Sequence, residues 1–242
     1  MTMPIFRSPD AMKYRRPSER NRLVNEGCSP RPPIGTFSRM PTARALRALT
    51  AGCALAGVAL LLAHTGGDAG IAVYFTVQSN LIVAAVFGLA AFGRGDVRLR
   101  GAATLYITIT GTVYHLVLTN PASPFFTADP GAETVHNLLL HTVTPLLAAA
   151  DWLLVNRDRV RWWHAGAWLA YPLAYLAFAL VRGAITGRYP YPFIDVAALG
   201  YGAVAVNALV FSVLFFLLGL LLIGLGELAR RVRRVPAVEQ IS

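Results

Sequence analysis

HNLLLHTVTPLLAAADW, His136 to Trp152, is apolar enough to lie in a bilayer, yet one stripe of it is polar. Read as a helix, Asn137, His141, Thr144 and Asp151 follow at spacings of four, three and seven and share one face. Leu138, Leu139, Leu146 and Leu147 form the opposite face, which lipid tolerates. Pro145 has no N–H, so the carbonyl of His141 loses its helical partner and the helix can bend there. An ionisable group inside a membrane span costs ~3 kcal/mol or more, so it normally faces protein or water and often marks function.

The composition around this stretch agrees with a membrane setting. The chain has 242 residues, 55% of them hydrophobic and only 14% charged, which predicts an all-α polytopic membrane protein. The net charge of +10 does not point to nucleic acid, because the basic residues sit at the ends of apolar segments with no aromatic-interleaved basic surface. Cys28 and Cys53 are not placed to pair, and no Cys/His spacing suggests a metal site, so neither metal nor cofactor is expected.

Residues 1 to 44 are rich in Arg, Pro and Ser without apolar period and read as a disordered basic tail, with Met40 as an alternative start. Six apolar segments follow, each near the ~20 residues that span a bilayer. They run Leu46–Ala63, Ile71–Phe92, Ala102–Thr119, Val135–Asn156, Ala165–Val181 and Gly200–Leu225, and a basic tail over 230–242 closes the chain. Arginines collect before the first segment (Arg39, Arg44, Arg47), between the second and third (Arg94, Arg98, Arg100), between the fourth and fifth (Arg157, Arg159, Arg161) and after the sixth (Arg230, Arg231, Arg233, Arg234). The other loops carry Asp68, Asp129 and Glu133, so both termini are expected in the cytoplasm of a multi-pass plasma-membrane protein. Trp162, Trp163 and Trp168 read as an inner interfacial belt, and Tyr189, Tyr191 and Phe193 as an outer one. Arg182 and Arg188 lie outside against the rule and are expected either to pair with Asp195 or to face an anion.

Polar groups gather in the outer halves of three segments. Thr76, Ser79 and Asn80 share a face of the second, Thr104, Thr108, Thr112 and His115 mark the third, and Asn137 and His141 the fourth. At ~1.5 Å per residue, Thr76 lies about 8 Å and His141 about 9 Å below the outer ends of their spans, so the two can meet. A threonine hydroxyl beside a neutral imidazole suits acyl transfer, with Thr76 as nucleophile and His141 as base. Asn80 or Asn137 would donate to the oxyanion, and Asp195 would orient the imidazole.

Each of these residues also has a structural reading. Thr in a membrane helix commonly bonds the carbonyl one turn back, small polar residues let helices approach closely, and Asn bridges helices. His64 and His136 fall at the interface, where solvation is expected. Two further functional readings stand beside acyl transfer: a haem protein with His115 and His141 on the iron, and a non-catalytic lipid-binding scaffold.

Through YFTVQSN (74–80), the stretch at 136–152 and RYPYPFIDV (188–196), the chain resembles a bacterial family of proline-rich six-transmembrane proteins over Leu46 to Leu225. The Tyr-x-Thr element with its following Asn, and the His upstream of a Pro, are similar to the androgen-induced gene family of intramembrane threonine hydrolases. That resemblance implies hydrolysis of fatty-acid esters of hydroxy fatty acids, with Thr76 as nucleophile and His141 as base. It further implies a lipid-ester substrate whose free carboxylate Arg182 or Arg188 would hold.

Overall fold

Between Arg100 and Gly111 every residue but Thr108 is buried, so the third apolar segment is the axis around which the others pack. Its small residues, Gly101, Ala102, Ala103, Thr104 and Gly111, make this possible, because without a bulky side chain neighbouring backbones approach closely. A computed structural model describes residues 39–128 and 134–234, all helix and turn. The chain divides at Arg39/Met40, and the description below concerns the second unit, Met40–Ser242. The basic tail up to residue 38, Cys28, Asp129, Glu133 and residues 235–242 lie outside the described residues.

Among the described residues, six helical stretches follow in order. Helix α1 is Arg39–His64 and α2 is Phe75–Ala91. Helix α3 runs Val97–Val113 and ends in a π-turn, Tyr114–Leu118. Helix α4 covers Val135–Val155, α5 His164–Thr186 with a turn at Leu169, and α6 Val196–Arg234. Five of these are long and apolar enough to cross a membrane, and the 17-residue α2 is a shorter apolar helix, preceded by a 3-10 turn at Ala69–Val73. The helical start at Arg39 corrects the expected tail, whose last residues belong to α1; likewise α6 continues through 230–234, where a tail was expected.

Local chemistry sets the ends and breaks. Asp96 accepts from Arg98 N–H at 2.6 Å and starts α3; Asp195 accepts from Ala197 and Ala198 N–H at 2.9 and 3.1 Å and starts α6. Gly200 interrupts α6 with φ 76° and ψ 160°, a backbone that only glycine adopts cheaply. Pro172 withholds an N–H from the Trp168 carbonyl, and the turn at Leu169 falls there.

Pro145 acts differently from the simple bend expected of it. The residues before it form a π-turn, Leu139–Val143, in which Thr144 N–H reaches back five residues to the Leu139 carbonyl. In that register the Leu140 carbonyl would have to accept from Pro145, which has nothing to donate. Asn80 Nδ2 supplies the missing bond at 3.3 Å.

At one end of the bundle lies a buried ionic cluster. Asp151, 1% exposed, accepts from Arg47 Nε at 2.8 Å and Arg100 Nη1 at 3.3 Å. Arg100 Nη2 also reaches Asn156 Oδ1 at 3.3 Å and Asp158 at 3.4 Å. Arg230 donates to the Asp158 carbonyl at 2.6 Å, and Arg233 to the carbonyls of Leu153 and Asn156, so α6 caps the C-terminal end of α4 with positive charge. Arg47, Arg100, Arg230 and Arg233, read from sequence as topology signals alone, are thus structural ligands of α4. Trp168 likewise leaves the expected belt: it is 4% exposed, packs against Gly101 and meets Trp152 edge-on at 6.1 Å. Trp162 and Trp163 do stay exposed.

Candidate functional site

At the opposite end, the starts of α2 and α4 and the end of α3 bring polar groups together. Thr76, in the first turn of α2, places Oγ1 3.3 Å from His141 Nε2. His141 Nδ1 is 3.2 Å from the backbone carbonyl of Asn137, one turn earlier. A carbonyl only accepts, so Nδ1 carries the hydrogen and Nε2 presents its lone pair to the Thr76 hydroxyl. Tyr114, in the π-turn of α3, stacks on the imidazole with ring centres 3.9 Å apart and planes 16° from parallel. The ring is therefore held on two edges and one face.

Two cavities meet at this pair. One, about 90 Å³, runs inward between α3, α5 and α6, with Phe75, Val113, Leu173, Tyr175, Phe211 and Phe215 among its walls. Leu173, on its wall, is 47% exposed. The other, about 410 Å³, is a vestibule at the end of the bundle, walled in part by Tyr74, Thr119, Thr127, Asn137 and Pro192. Thr76, Tyr114, Leu118, His141 and Tyr191 border both.

Tyr191 comes from the YPYPFIDV loop. Its hydroxyl accepts from the Thr76 backbone N–H at 3.4 Å. Its ring stacks on Phe193 at 5.3 Å and meets Tyr74 and Tyr175 at 6.1 and 6.4 Å. Burial pushes its phenol above the usual tyrosine value, so it stays protonated and keeps a hydrogen to donate. The loop is fastened by Tyr189 packed on Gly183, by Ile194 in the core, and by Asn207 Nδ2 donating to the Phe193 carbonyl at 2.9 Å. Of the outer aromatic belt expected of Tyr189, Tyr191 and Phe193, Tyr191 and Phe193 instead fold against the cavities, with Phe193 lining the inner one.

The other site residues expected from sequence divide. Asn80 is within reach, but its amide donates to the carbonyls of Thr76 (2.9 Å) and Leu140 (3.3 Å), which uses both hydrogens and removes it as an oxyanion donor. Asn137 orients His141 through its backbone, and its side chain lines the vestibule. Asp195 is committed to capping α6 and does not orient the imidazole. Arg182 donates to the Arg188 carbonyl at 2.9 Å, and neither arginine lines either cavity or pairs with Asp195.

The histidines also separate. His115 is exposed, with Nε2 3.0 Å from Thr142 Oγ1, and the Tyr114 ring lies 5.1 Å from His115 and 3.9 Å from His141. The two Nε2 atoms face different hydroxyls, Thr76 for His141 and Thr142 for His115, so each is already engaged away from a shared iron. His136, expected in solvent, is buried beside His64 with ring centres 4.9 Å apart. The threonine ladder of α3 behaves as packing: Thr104 and Thr108 donate to the carbonyls one turn back at 2.8 and 2.7 Å. Among the described residues no cluster of three or more His, Cys, Asp or Glu side chains is arranged to hold a metal.

Sequence reasoning missed Tyr114 and Tyr191. Tyr191 carried a signal in its neighbours, since two prolines in YPYP stiffen a loop more than a flexible connection needs. The partners of Asp151 were also legible in principle, because a carboxylate inside a span requires cations at its own depth, and Arg47 and Arg100 begin the neighbouring spans. Compared with known protein families, curated proteins and solved structures, the chain matches none.

Proposed function

We propose that the protein is an intramembrane hydrolase of lipid esters that works through an acyl-threonine intermediate, with its six helices spanning the plasma membrane and both termini in the cytoplasm. The observation that carries this reading is the hydrogen-bonded chain Thr76 Oγ1, His141 Nε2, His141 Nδ1, Asn137 carbonyl, placed where an apolar cavity meets a vestibule. The arginine-rich loops support the orientation, and the resemblance to intramembrane threonine hydrolases supports the chemistry.

Thr76 Oγ attacks the ester carbonyl carbon as His141 Nε2 takes the hydroxyl proton. The Asn137 carbonyl steadies the resulting imidazolium through Nδ1–H. The carbonyl oxygen becomes an oxyanion, for which the Tyr191 hydroxyl is the donor at hand, beside the positive end of the α2 dipole. The bond from carbonyl carbon to alcohol oxygen breaks, and His141 passes its proton to the departing alkoxide. Water then adds to the acyl-threonine with His141 accepting its proton, the fatty acid leaves, and the proton returns to Thr76.

A fluorophosphonate probe on the purified full chain tests this reading. Labelling is expected at Thr76 and is lost in Thr76→Ala and in His141→Ala, with thermal unfolding recorded beside it. Labelling that persists in both variants would falsify the assignment.

A further inference from the structure

Among the described residues, neither wall of the candidate site carries a formal charge. Among the described residues, His141 is the one basic side chain bordering either cavity, no acid borders them, and both ring nitrogens of His141 are engaged by Thr76 and the Asn137 carbonyl. The inner cavity is walled mainly by apolar side chains, while the vestibule is bordered by the neutral polar residues Thr119, Thr127 and Asn137; the Thr119 and Thr127 hydroxyls donate to the carbonyls of Tyr114 at 2.9 Å and Phe125 at 3.4 Å, so each keeps its oxygen as an acceptor. Arg188 directly precedes the loop that plugs the site and Arg182 is turned to the Arg188 carbonyl, and neither borders either cavity.

We infer that the ester this site takes is uncharged: one hydrocarbon arm lies in the inner cavity, and a neutral, hydroxyl- or ester-bearing portion lies in the vestibule. A carboxylate or phosphate drawn into that vestibule loses water and finds no cation among the described residues in return, whereas a neutral portion has less hydration to lose and a hydroxyl on it can donate to the threonine oxygens. The inference rests on the hydrolase reading for the word substrate, but the ligand chemistry stands on the cavity walls. It also runs against the free carboxylate that the family resemblance implied. On α6, Ala208 and Ser212 are one turn apart on the wall of the inner cavity, and Ser212 Oγ is spent on the Ala208 carbonyl at 2.7 Å, so the hydrocarbon arm passes two small side chains with no polar group to offer.

A matched substrate pair isolates the charge: a lauroyl ester of a hydroxy acid, as the free acid and as its methyl ester, with monolauroylglycerol as a second neutral compound. In nanodisc-held full-length protein, kcat/KM is expected to be at least about tenfold higher for the two neutral esters. Equal or faster turnover of the free acid overturns the inference. Thr127→Arg, at an exposed vestibule position, adds a cation and is expected to narrow the gap; an unchanged ratio counts against the vestibule as the seat of that portion. Ser212→Phe is expected to depress lauroyl turnover about tenfold more than acetyl turnover, and an unaltered chain-length profile removes the arm from the inner cavity. Should no compound be turned over and no Thr76 label form, the hydrolase reading falls by itself. The ligand inference is then decided by displacement of a fluorescent monoacylglycerol: it stands if the methyl ester competes at least about tenfold better than the acid and Ser212→Phe weakens binding, and fails otherwise.

Discussion

Thr76 and His141 have a geometry that many packed Thr/His pairs lack, because the second nitrogen of the imidazole is tied to a carbonyl. That tie selects the tautomer with its base facing the hydroxyl, a job more often given to a carboxylate. Tyr191 is the residue whose role is sharpest to test. Tyr191→Phe keeps the ring packing on Phe193 and removes only the hydroxyl. It is expected to lower kcat about 10²-fold with KM little changed, the mark of a donor used in the transition state. Because burial holds the phenol protonated, the wild-type rate should show no loss from Tyr191 ionisation until the pH passes above ~10, where an unperturbed tyrosine titrates. A pH–rate profile falling through ~10 in wild type but not in Tyr191→Phe would contradict that burial effect.

At the scale of the element, α4 is shaped by its proline. The π-turn at Leu139–Val143 puts His141 where it meets Thr76 and leaves the Leu140 carbonyl to Asn80. Asn80→Ala is therefore expected to destabilise the protein by about 1–3 kcal/mol, through a buried carbonyl left unmatched. Thermal unfolding in detergent measures it; an unchanged melting temperature with a fall in kcat alone would restore Asn80 as an oxyanion donor. Gly111 is the matching feature on α3. A Cβ there would stand 2.8 Å from the His141 carbonyl oxygen and 3.2 Å from the Pro145 ring, against backbone that cannot yield easily. Gly111→Ala should cost about 1–3 kcal/mol and push α4 away from α3, lowering Thr76-dependent labelling together with stability.

For the whole molecule, two polar centres sit at opposite ends of one bundle. His141 and Asp151 lie ten residues apart on α4, a rise of about 15 Å, and they serve different ends. The ionic centre joins α1, α3 and α4, and α6 seals it through Arg230 and Arg233. Asp151→Asn leaves Arg47 and Arg100 facing each other without their shared counter-charge, and is expected to lower stability by about 3–5 kcal/mol. Adding Arg100→Met should recover part of that loss, since the apolar side chain has no charge to compensate. Activity per folded molecule should survive the double change. Its disappearance in well-folded protein would mean that the two ends are coupled.

The helices, their apolar character and the polar stripe of α4 were determined by the sequence alone, because hydropathy and helical period are local properties. Even the meeting of Thr76 and His141 could be anticipated from depth along two spans. Only tertiary structure decided what each polar group faces. Asp195 turns to its own helix start, Asn80 to a carbonyl orphaned by a proline 65 residues away, and Tyr191 folds from a loop onto the nucleophile's amide. Those choices depend on rotation of helices about their axes and on the path of a loop between them. Neither is written in periodicity, since a helix face is defined only relative to the neighbour it packs against.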